Sequence, residues 1–194
     1  TPRWKLAAAD ADVSFPHAAN VFSCALGIRI TERDTPNLYE LLQRVMVDAG
    51  QSTSAAKAKY QRPRPFAVYD EPICVPDDAK VLRGNGAYPS GHAAAGWAWA
   101  LVLAEIAPDR MTEVLRRGHE FGQSRVVCGV HWQTDIDTGR TLAAAVVARL
   151  HADEEFLVRL ERAKVEVARQ RRAGAEPVAD CAVETAALYQ VVQP

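Results

Sequence analysis

The chain has 194 residues, of which 48% are hydrophobic and 24% are charged, a composition typical of one water-soluble globular domain. This balance excludes a disordered tail, a coiled-coil rod and an assembly of two large domains. The formal net charge is -1, from 23 basic and 24 acidic side chains, so no overall positive field attracts nucleic acid or anionic lipid. A bound anion must therefore be held by a local cluster of charges.

Hydrophobic residues in the first half of the chain recur with helical rather than strand spacing. An amphipathic helix is predicted over 36–50, with Thr35 as its cap and a proline at its first position. A shorter helix over 52–60 must stop at the Arg-Pro-Arg-Pro sequence of 62–65, which favours extended backbone. The segment 70–88, with its prolines and glycines, is predicted to be a long irregular loop, and such loops are often functional.

The second half of the chain is predicted to be helical almost throughout. The run 93–106 is apolar on all sides, which predicts a buried central helix. Further helices are predicted over 109–127 and 134–150, and Asp153 is predicted to cap a last long helix with a solvated, charged face. The sequence therefore predicts an all-α fold, a single-domain helical bundle over 1–194 around one buried helix.

The longest stretch without charge, 84–104, is continuously apolar only over 93–104. A membrane-spanning helix needs about 20 apolar residues, so the sequence predicts a chain that does not cross a membrane. The first residue is Thr1 and no basic-then-apolar signal segment follows it, which is expected of either a processed chain or a trimmed one.

The cysteines are widely dispersed, and no two have the spacing of a metal-binding knuckle. They are Cys24, Cys74, Cys128 and Cys181. An even, dispersed set favours two long-range disulfides, which would indicate an oxidising compartment. The alternative is four buried, reduced thiols, because free cysteine is a common core residue.

Three segments concentrate the residue types that phosphate chemistry requires. They are Lys57 followed after six residues by Arg64-Pro65, then Pro89-Ser90-Gly91-His92, then Ser124-Arg125 followed after five residues by His131 and after three more by Asp135. Taken singly, Lys57 and Arg64 are typical surface charges, and Ser90 is a typical cap of the central helix. The start of that helix would also present backbone N–H groups to an anion.

His131 and Asp135 are four residues apart, which leaves two interpretations open. If 130–133 is already helical, the two side chains share a helix face and can meet. Alternatively, Asp135 caps or charges the first turn of the following helix.

Together and in this order, the three segments resemble the signature of the phosphatidic acid phosphatase type 2 superfamily, which also contains the vanadium-dependent haloperoxidases. The segments 86–92 and 128–133 look like those of bacterial class A non-specific acid phosphatases. Ala87 and Ala93 depart from that class, which usually has serine and threonine there. These two departures leave the subclass and the pocket shape open, but they do not touch a signature position.

The resemblance implies an enzyme that hydrolyses phosphomonoesters, nucleotides among them, with no metal and no other cofactor, and that vanadate inhibits. It assigns phosphate binding to the cations and to the start of the central helix, namely Lys57, Arg64, Ser90, Gly91 and Arg125. His131, oriented by Asp135, would attack phosphorus and form a phosphohistidine, while His92 would protonate the leaving group. One histidine must then start neutral and the other charged, which predicts a bell-shaped pH profile.

The resemblance also implies a periplasmic or secreted protein and a possible homodimer, with no nucleic-acid or membrane partner. The expected disulfides are Cys24 with Cys74 and Cys128 with Cys181, the other two connectivities being open. Two alternative functions remain at this point: a haloperoxidase that binds vanadate in the same site, and an inactive phosphate-binding protein. Candidate walls of the pocket are Tyr88, Trp97, Trp99 and Trp132, although core packing is the more typical role of the two tryptophans on the apolar helix.

Overall fold

A computed structural model describes residues 1–189, which form helices and short 3-10 turns and contain no β-strand. The α-helices are α1 (Pro2–Ala9), α2 (Ser23–Leu26), α3 (Pro36–Gln51), α4 (Ser54–Tyr60), α5 (Pro65–Tyr69), α6 (Ala79–Arg83), α7 (Gly91–Ile106), α8 (Met111–Val127), α9 (Gln133–Leu150), α10 (Glu154–Arg172) and α11 (Cys181–Leu188). The predicted all-α fold is confirmed. None of these helices has the length and apolarity that crossing a bilayer requires.

Helix α7 is the centre of the bundle and packs against α3, α8 and α9. Its side chains are apolar on every face, so burial on all sides is the favourable arrangement. Trp99 is fully buried, and its indole N–H donates to the Leu42 carbonyl of α3 at 2.8 Å. Helix α8 approaches closely because Gly118 has no side chain: a Cβ there would lie 2.3 Å from the Ala100 Cβ. The predicted buried central helix is confirmed.

The start of α3 differs from the prediction. Pro36 is its first residue, but the Thr35 hydroxyl bonds to the Thr31 carbonyl and does not cap the helix. The buried carboxylate of Glu166 in α10 instead accepts the N–H groups of Asn37 and Leu38, at 3.1 and 3.0 Å. A distant side chain thus supplies the cap. At the start of α10, Asp153 accepts the Phe156 N–H, as predicted.

The segment 70–88 is less irregular than predicted, because it contains the 3-10 turn Pro76–Asp78 and helix α6. Both elements are too short to produce a periodic hydrophobic pattern, which is why the sequence did not reveal them. The same reason applies to α1, α2 and α11. This segment contributes to a second, smaller core formed by Ala7, Phe66, Ile73, Cys128 and Val130.

The disulfides connect Cys24 with Cys181 and Cys74 with Cys128, and no free cysteine occurs in residues 1–189. Two bridges were predicted, but the expected pairing of Cys24 with Cys74 and of Cys128 with Cys181 is wrong. Cys74 lies in the smaller core beside the end of α8, where its N–H donates to the Cys128 carbonyl. Cys24 in α2 meets the first residue of α11. Tertiary packing, and not order along the chain, selects the pairs.

Candidate active site

The turn between α8 and α9 brings Arg125 and His131 together. The backbone N–H groups of Val130 and His131 both point back to the Arg125 carbonyl, at 3.1 and 3.3 Å. Gly129 makes this reversal possible with a positive φ of 77°, a conformation that glycine adopts without strain. Helix α9 begins only at Gln133, so His131 lies in the turn.

Asp135 is the third residue of α9 and performs two tasks at once. Its Oδ2 accepts the Trp132 N–H at 2.8 Å, which caps the helix, and it lies 3.2 Å from His131 Nδ1. The interpretation that His131 and Asp135 share a helical face is therefore wrong, because His131 precedes the helix. The capping interpretation is confirmed, and the cap itself brings the carboxylate to the imidazole.

The partners of His131 decide which of its nitrogens carries the proton. The Asp135 carboxylate can only accept, so it accepts a hydrogen from Nδ1. The Arg64 guanidinium can only donate, and it lies 3.1 Å from Nε2. Nδ1 therefore holds the hydrogen and Nε2 holds the lone pair. Burial, together with the nearby charges of Arg64, Lys57 and Arg125, lowers the pKa of His131 to about 3, so the ring is neutral.

Arg62 is a residue of this site that the sequence analysis missed. Its Nη1 donates to Asp135 Oδ1 at 2.8 Å and to the Thr134 hydroxyl at 2.7 Å, and its guanidinium lies 5.3 Å from the Trp132 ring centroid. Burial opposes ionisation of Asp135, but the hydrogen bonds from His131 and Trp132 outweigh it, and the pKa of Asp135 is lowered. The sequence analysis assigned phosphate binding to Arg64 of the Arg-Pro-Arg-Pro sequence but gave Arg62 no role, although the alternation places both arginines next to one site.

Three further cations converge on the site, as predicted. Lys57 Nζ donates to the Gly86 carbonyl at 2.8 Å, and Arg64 donates through Nε to the carbonyls of Leu82 and Asn85. Burial, followed by the charge of Arg64, lowers the pKa of Lys57 to about 8. Burial likewise lowers the pKa of Arg64 to about 10. The structured part of segment 70–88 thus holds the arginine in place.

Arg125 is the most isolated of these cations. It is 2% exposed, and its Nε and Nη1 atoms have no hydrogen-bond partner among residues 1–189. Burial lowers its pKa to about 10, and the charge of Arg64 acts in the same direction. Buried donors are nearly always paired in native proteins, so two free N–H groups beside other cations indicate an anion-binding position.

The start of α7 meets the start of α9 at the same place. Ser90 caps α7 by accepting the Ala93 N–H at 3.2 Å, and its own N–H donates to the Asp135 carbonyl at 3.0 Å. This approach requires Gly139, because a Cβ there would lie 2.6 Å from the Ser90 carbonyl oxygen. Ser90 and Gly91 therefore lie where the N–H groups of α7 can bind an anion.

His92, in the first turn of α7, is oriented by the Ala11 carbonyl and by the ring of Phe121. Its Nε2 lies 3.0 Å from the Ala11 carbonyl, so Nε2 carries a hydrogen, and its ring stacks on Phe121 with 6.3 Å between centroids. Burial and then the charge of Arg125 lower the pKa of His92 to about 3. Burial and the nearby cations thus favour neutral rings in the chain without substrate, and the expectation of one neutral and one charged histidine during catalysis stays a prediction.

Comparison with known proteins shows the family to which the chain belongs. The sequence profile of the PAP2 superfamily matches residues 38–157, which include all three of the predicted segments. The chain belongs to the PAP2 superfamily. The resemblance drawn from the three segments is therefore confirmed.

Named relatives of this PAP2 chain are bacterial acid phosphatases. A non-specific acid phosphatase of Providencia stuartii is 49% identical over 173 residues, which cover 89% of this chain and 70% of the relative. A non-specific acid phosphatase of Salmonella typhimurium is 46% identical over 86% of this chain and 67% of its own length. An acid phosphatase of Zymomonas mobilis is 38% identical over 90% of this chain and 66% of its own length.

Aromatic side chains adjoin the PAP2 signature residues. Trp132, next to His131, packs edge-on against Tyr69, and Tyr88, next to the second segment, packs edge-on against Tyr60. Tyr60 and Tyr69 are more than half exposed. That Tyr88 and Trp132 border the pocket stays a prediction.

One signature residue does not face the cations. The hydroxyl of Ser124 in α8 donates to the carboxylate of Asp10, which lies behind His92 in the segment that follows α1. The sequence assigned no role to Ser124 and did not single out Asp10.

Proposed function

We propose that this PAP2 protein is an acid phosphatase that hydrolyses phosphomonoesters through a phosphohistidine at His131, without a metal ion. The observation that carries the proposal is the state of His131. Its Nε2 lone pair adjoins the Arg64 guanidinium at 3.1 Å, and its Nδ1 hydrogen points to Asp135. A nucleophilic nitrogen thus adjoins the cation that would hold phosphate.

The cationic cluster supplies the charge stabilisation that the reaction needs. A phosphomonoester dianion spreads its charge over three oxygens, and phosphoryl transfer depends mainly on positioning and on neutralising that charge. Lys57, Arg64 and Arg125 bring three positive charges, and Ser90 with Gly91 adds neutral donors. Within residues 1–189, no three His, Cys, Asp or Glu side chains are grouped as metal ligands.

In the first step, His131 Nε2 attacks phosphorus and the bond from phosphorus to the ester oxygen breaks. The Nδ1 hydrogen stays with Asp135, whose negative charge stabilises the positive ring that forms. His92 gives a proton to the departing oxygen, so the products of this step are an alcohol and the phosphohistidine.

In the second step, His92 is neutral and takes a proton from water as the water oxygen attacks the phosphohistidine. The nitrogen–phosphorus bond breaks, inorganic phosphate leaves, and His131 recovers its lone pair. His92 acts as acid and then as base, and the proton that it takes from water passes to the inorganic phosphate before the phosphate leaves, so both histidines are neutral again at the end of the turnover.

The source of the first proton explains why acidic pH would suit the reaction. Burial, and after it the nearby cations, lowers the pKa of both His92 and His131, so both rings are neutral in the free chain. A phosphomonoester has a second pKa of about 6, so below that pH it binds as a monoanion that still carries a transferable proton. Binding its negative charge beside His92 favours transfer of that proton to the ring.

Two further proposals concern the setting of the enzyme. Two disulfides favour an oxidising compartment, which supports a periplasmic or secreted location. Association into a homodimer stays a prediction, and sedimentation equilibrium of the purified chain would test it.

The test compares phosphatase activity with the two alternative functions. Hydrolysis of p-nitrophenyl phosphate in the presence of EDTA, inhibited by vanadate, is the expected result. Bromide oxidation with vanadate and peroxide, in the absence of phosphatase activity, would indicate a haloperoxidase instead. Tight phosphate binding with no turnover of any phosphomonoester would indicate a binding protein.

A second measurement tests the covalent intermediate. With methanol present, a phosphoenzyme formed from any substrate partitions between water and methanol in the same ratio. We therefore expect one ratio of phosphate to methyl phosphate for aryl and alkyl substrates. A ratio that changes with the leaving group would contradict a common intermediate.

A further inference from the structure

One buried carboxylate lies outside the proposed mechanism. Asp10, directly after α1, is 1% exposed and accepts hydrogen bonds from two nitrogens of Arg117 and from the Ser124 hydroxyl. Arg117 is itself 3% exposed. Burying a carboxylate is costly unless it is paired and fully hydrogen-bonded. These bonds to Arg117 and Ser124 of α8 therefore fix the position of Asp10 against that helix.

The residue after Asp10 contacts the proposed general acid. The Ala11 carbonyl lies 3.0 Å from His92 Nε2. Its position follows that of Asp10, because both residues belong to the tight turn that ends α1. In that turn the Asp10 N–H donates to Leu6, and the Ala11 N–H donates to Ala8. The bonds of Asp10 to Arg117 and Ser124 therefore also hold the Ala11 carbonyl in place.

This carbonyl determines what His92 can do. A carbonyl can only accept, so it keeps a hydrogen on Nε2 and leaves Nδ1 as the nitrogen that exchanges a proton with substrate. On its flat side the ring meets Phe121, which also belongs to α8. If the carbonyl moved, the ring would be free to take the other tautomer or to rotate, and the proton would no longer face the leaving oxygen.

We propose that Asp10 is a positioning residue for the general acid: its bonds to Arg117 and Ser124 hold the Ala11 carbonyl, which fixes the tautomer and orientation of His92. The inference rests on the proposed function, in which His92 protonates the leaving group. It also gives the serine of the third signature segment a role, as an anchor of Asp10 and not as a phosphate ligand.

The test uses the leaving group as its measure. A good leaving group, such as dinitrophenolate, departs without a proton, whereas an alkoxide needs one, so loss of acid catalysis slows alkyl phosphates selectively. We compare kcat/KM for dinitrophenyl phosphate and for an alkyl phosphate in Asp10→Asn, in His92→Ala and in the wild type. For Asp10→Asn we expect a loss of about 100-fold with the alkyl ester and less than about 3-fold with the aryl ester.

Glu166→Gln is the matched control. Glu166 is also a buried carboxylate that binds backbone N–H groups, but it caps α3 and contacts no residue of the site. We expect this variant to lose stability without a change in the ratio of the two kcat/KM values. A merely structural role of Asp10 would likewise lower both values together, and that result would overturn the inference.

The outcomes separate the inference from the proposed function. If His92→Ala shows the selective loss and Asp10→Asn does not, the inference fails and the proposed function stands. If His92→Ala shows no selectivity, the assignment of His92 as the acid fails as well.

A spectroscopic measurement covers the case in which Asp10→Asn changes activity only through the fold. Nitrogen-15 NMR distinguishes the two neutral tautomers of histidine. We expect the Nε2–H form of His92 in the wild type and a mixture in Asp10→Asn.

A second variant serves if Asp10→Asn does not fold. Ser124→Ala removes one donor to Asp10 and keeps the ion pair, and we expect a smaller loss of kcat/KM with the same selectivity for the alkyl ester. A single unchanged tautomer in either folded variant would contradict the inference.

Discussion

The two histidines of the site are held in different ways. His131 has a local partner: its carboxylate partner is four residues away, and the same carboxylate caps the helix that follows, although Arg64 also reaches its Nε2 from a distance. His92 is held from a distance: its carbonyl partner is Ala11, 81 residues earlier, and its stacking partner Phe121 lies on α8.

The disulfides repeat this contrast. Cys128 lies three residues before His131, so the bridge to Cys74 fastens the turn that carries the proposed nucleophile. The bridge from Cys24 to Cys181 fastens α11, whose Glu184 lies 3.4 Å from Arg117, the partner of Asp10. The side of the proposed nucleophile is therefore held by its own turn and by the segment 62–74, whereas support for the side of the proposed acid comes from α1, α8 and α11. Changes near the chain ends should affect acid catalysis before they affect the nucleophile.

The largest expected effect is that of His131→Ala. Without the nucleophile, kcat should fall by about 10⁴-fold or more for every ester, whatever its leaving group. The variant should still bind inorganic phosphate, with an affinity within about 3-fold of that of the wild type, because the cations remain. Steady-state kinetics and isothermal titration with phosphate measure the two quantities. Wild-type turnover in this variant would contradict the nucleophile assignment.

Asp135→Asn should have the next largest effect. The amide can present a donor to His131 Nδ1, which favours the tautomer without a lone pair at Nε2, and kcat should fall by about 10³-fold. Aryl and alkyl esters should lose equally, unlike the selective loss expected on the acid side. Asp137→Asn, an exposed carboxylate two residues further along α9, is the control and should keep wild-type rates. Near-normal kcat in Asp135→Asn would refute the orienting role.

The same contrast explains which parts of the structure could be predicted from sequence. The buried α7, the long helices and the segment from Arg125 to Asp135 follow from patterns within a few residues. The cap of α3 by Glu166, the cysteine pairing and the contact between Ala11 and His92 join residues that are far apart in the chain. No local pattern encodes such contacts, because they depend on how the finished helices pack. The sequence therefore indicated candidate residues for the site but not the supports behind His92 and Asp135.

The disulfides allow the contrast to be tested through stability. In a chain-entropy account, the bridge that spans 157 residues is worth roughly 5 kcal/mol and the bridge that spans 54 is worth about 4 kcal/mol. Replacing Cys24 and Cys181 by alanine should therefore cost slightly more unfolding free energy than replacing Cys74 and Cys128. Urea unfolding followed by circular dichroism measures both changes.

For aryl esters, activity should fall more when the bridge between Cys74 and Cys128 is lost than when the bridge between Cys24 and Cys181 is lost, which is the reverse of the order expected for stability. Loss of the bridge between Cys74 and Cys128 loosens the nucleophile turn and should lower kcat/KM for aryl and alkyl esters alike, by about 10-fold. Loss of the bridge between Cys24 and Cys181 should lower it mainly for alkyl esters. Equal behaviour of the two double variants would show that the two sides are not supported separately.

The smallest expected effect is the pH dependence of stability. Burial lowers the pKa of both His92 and His131 from the ordinary 6.5 to about 3, so between those pH values the unfolded chain binds more protons than the folded one. Stability should be fully present above about pH 6.5 and should decline as the pH falls towards about 3. We expect the Tm to fall by at least about 4 °C from pH 7 to pH 4.5.

Saturating phosphate should reduce that fall, since the bound anion offsets the repulsion between the cations and the protonated rings. Scanning fluorimetry with and without phosphate measures the difference. A Tm that rises on acidification without phosphate would show that the histidines are not held neutral.

The central claim is that His131 carries the phosphoryl group, and trapping the intermediate tests it most directly. The enzyme is mixed with radiolabelled p-nitrophenyl phosphate, quenched with alkali within one turnover and digested for peptide mapping. We predict a label that is stable in base and labile in acid, located on the peptide that contains His131 and absent in His131→Ala. A rapidly turning-over enzyme that acquires no label, or a label on another residue, would contradict the account.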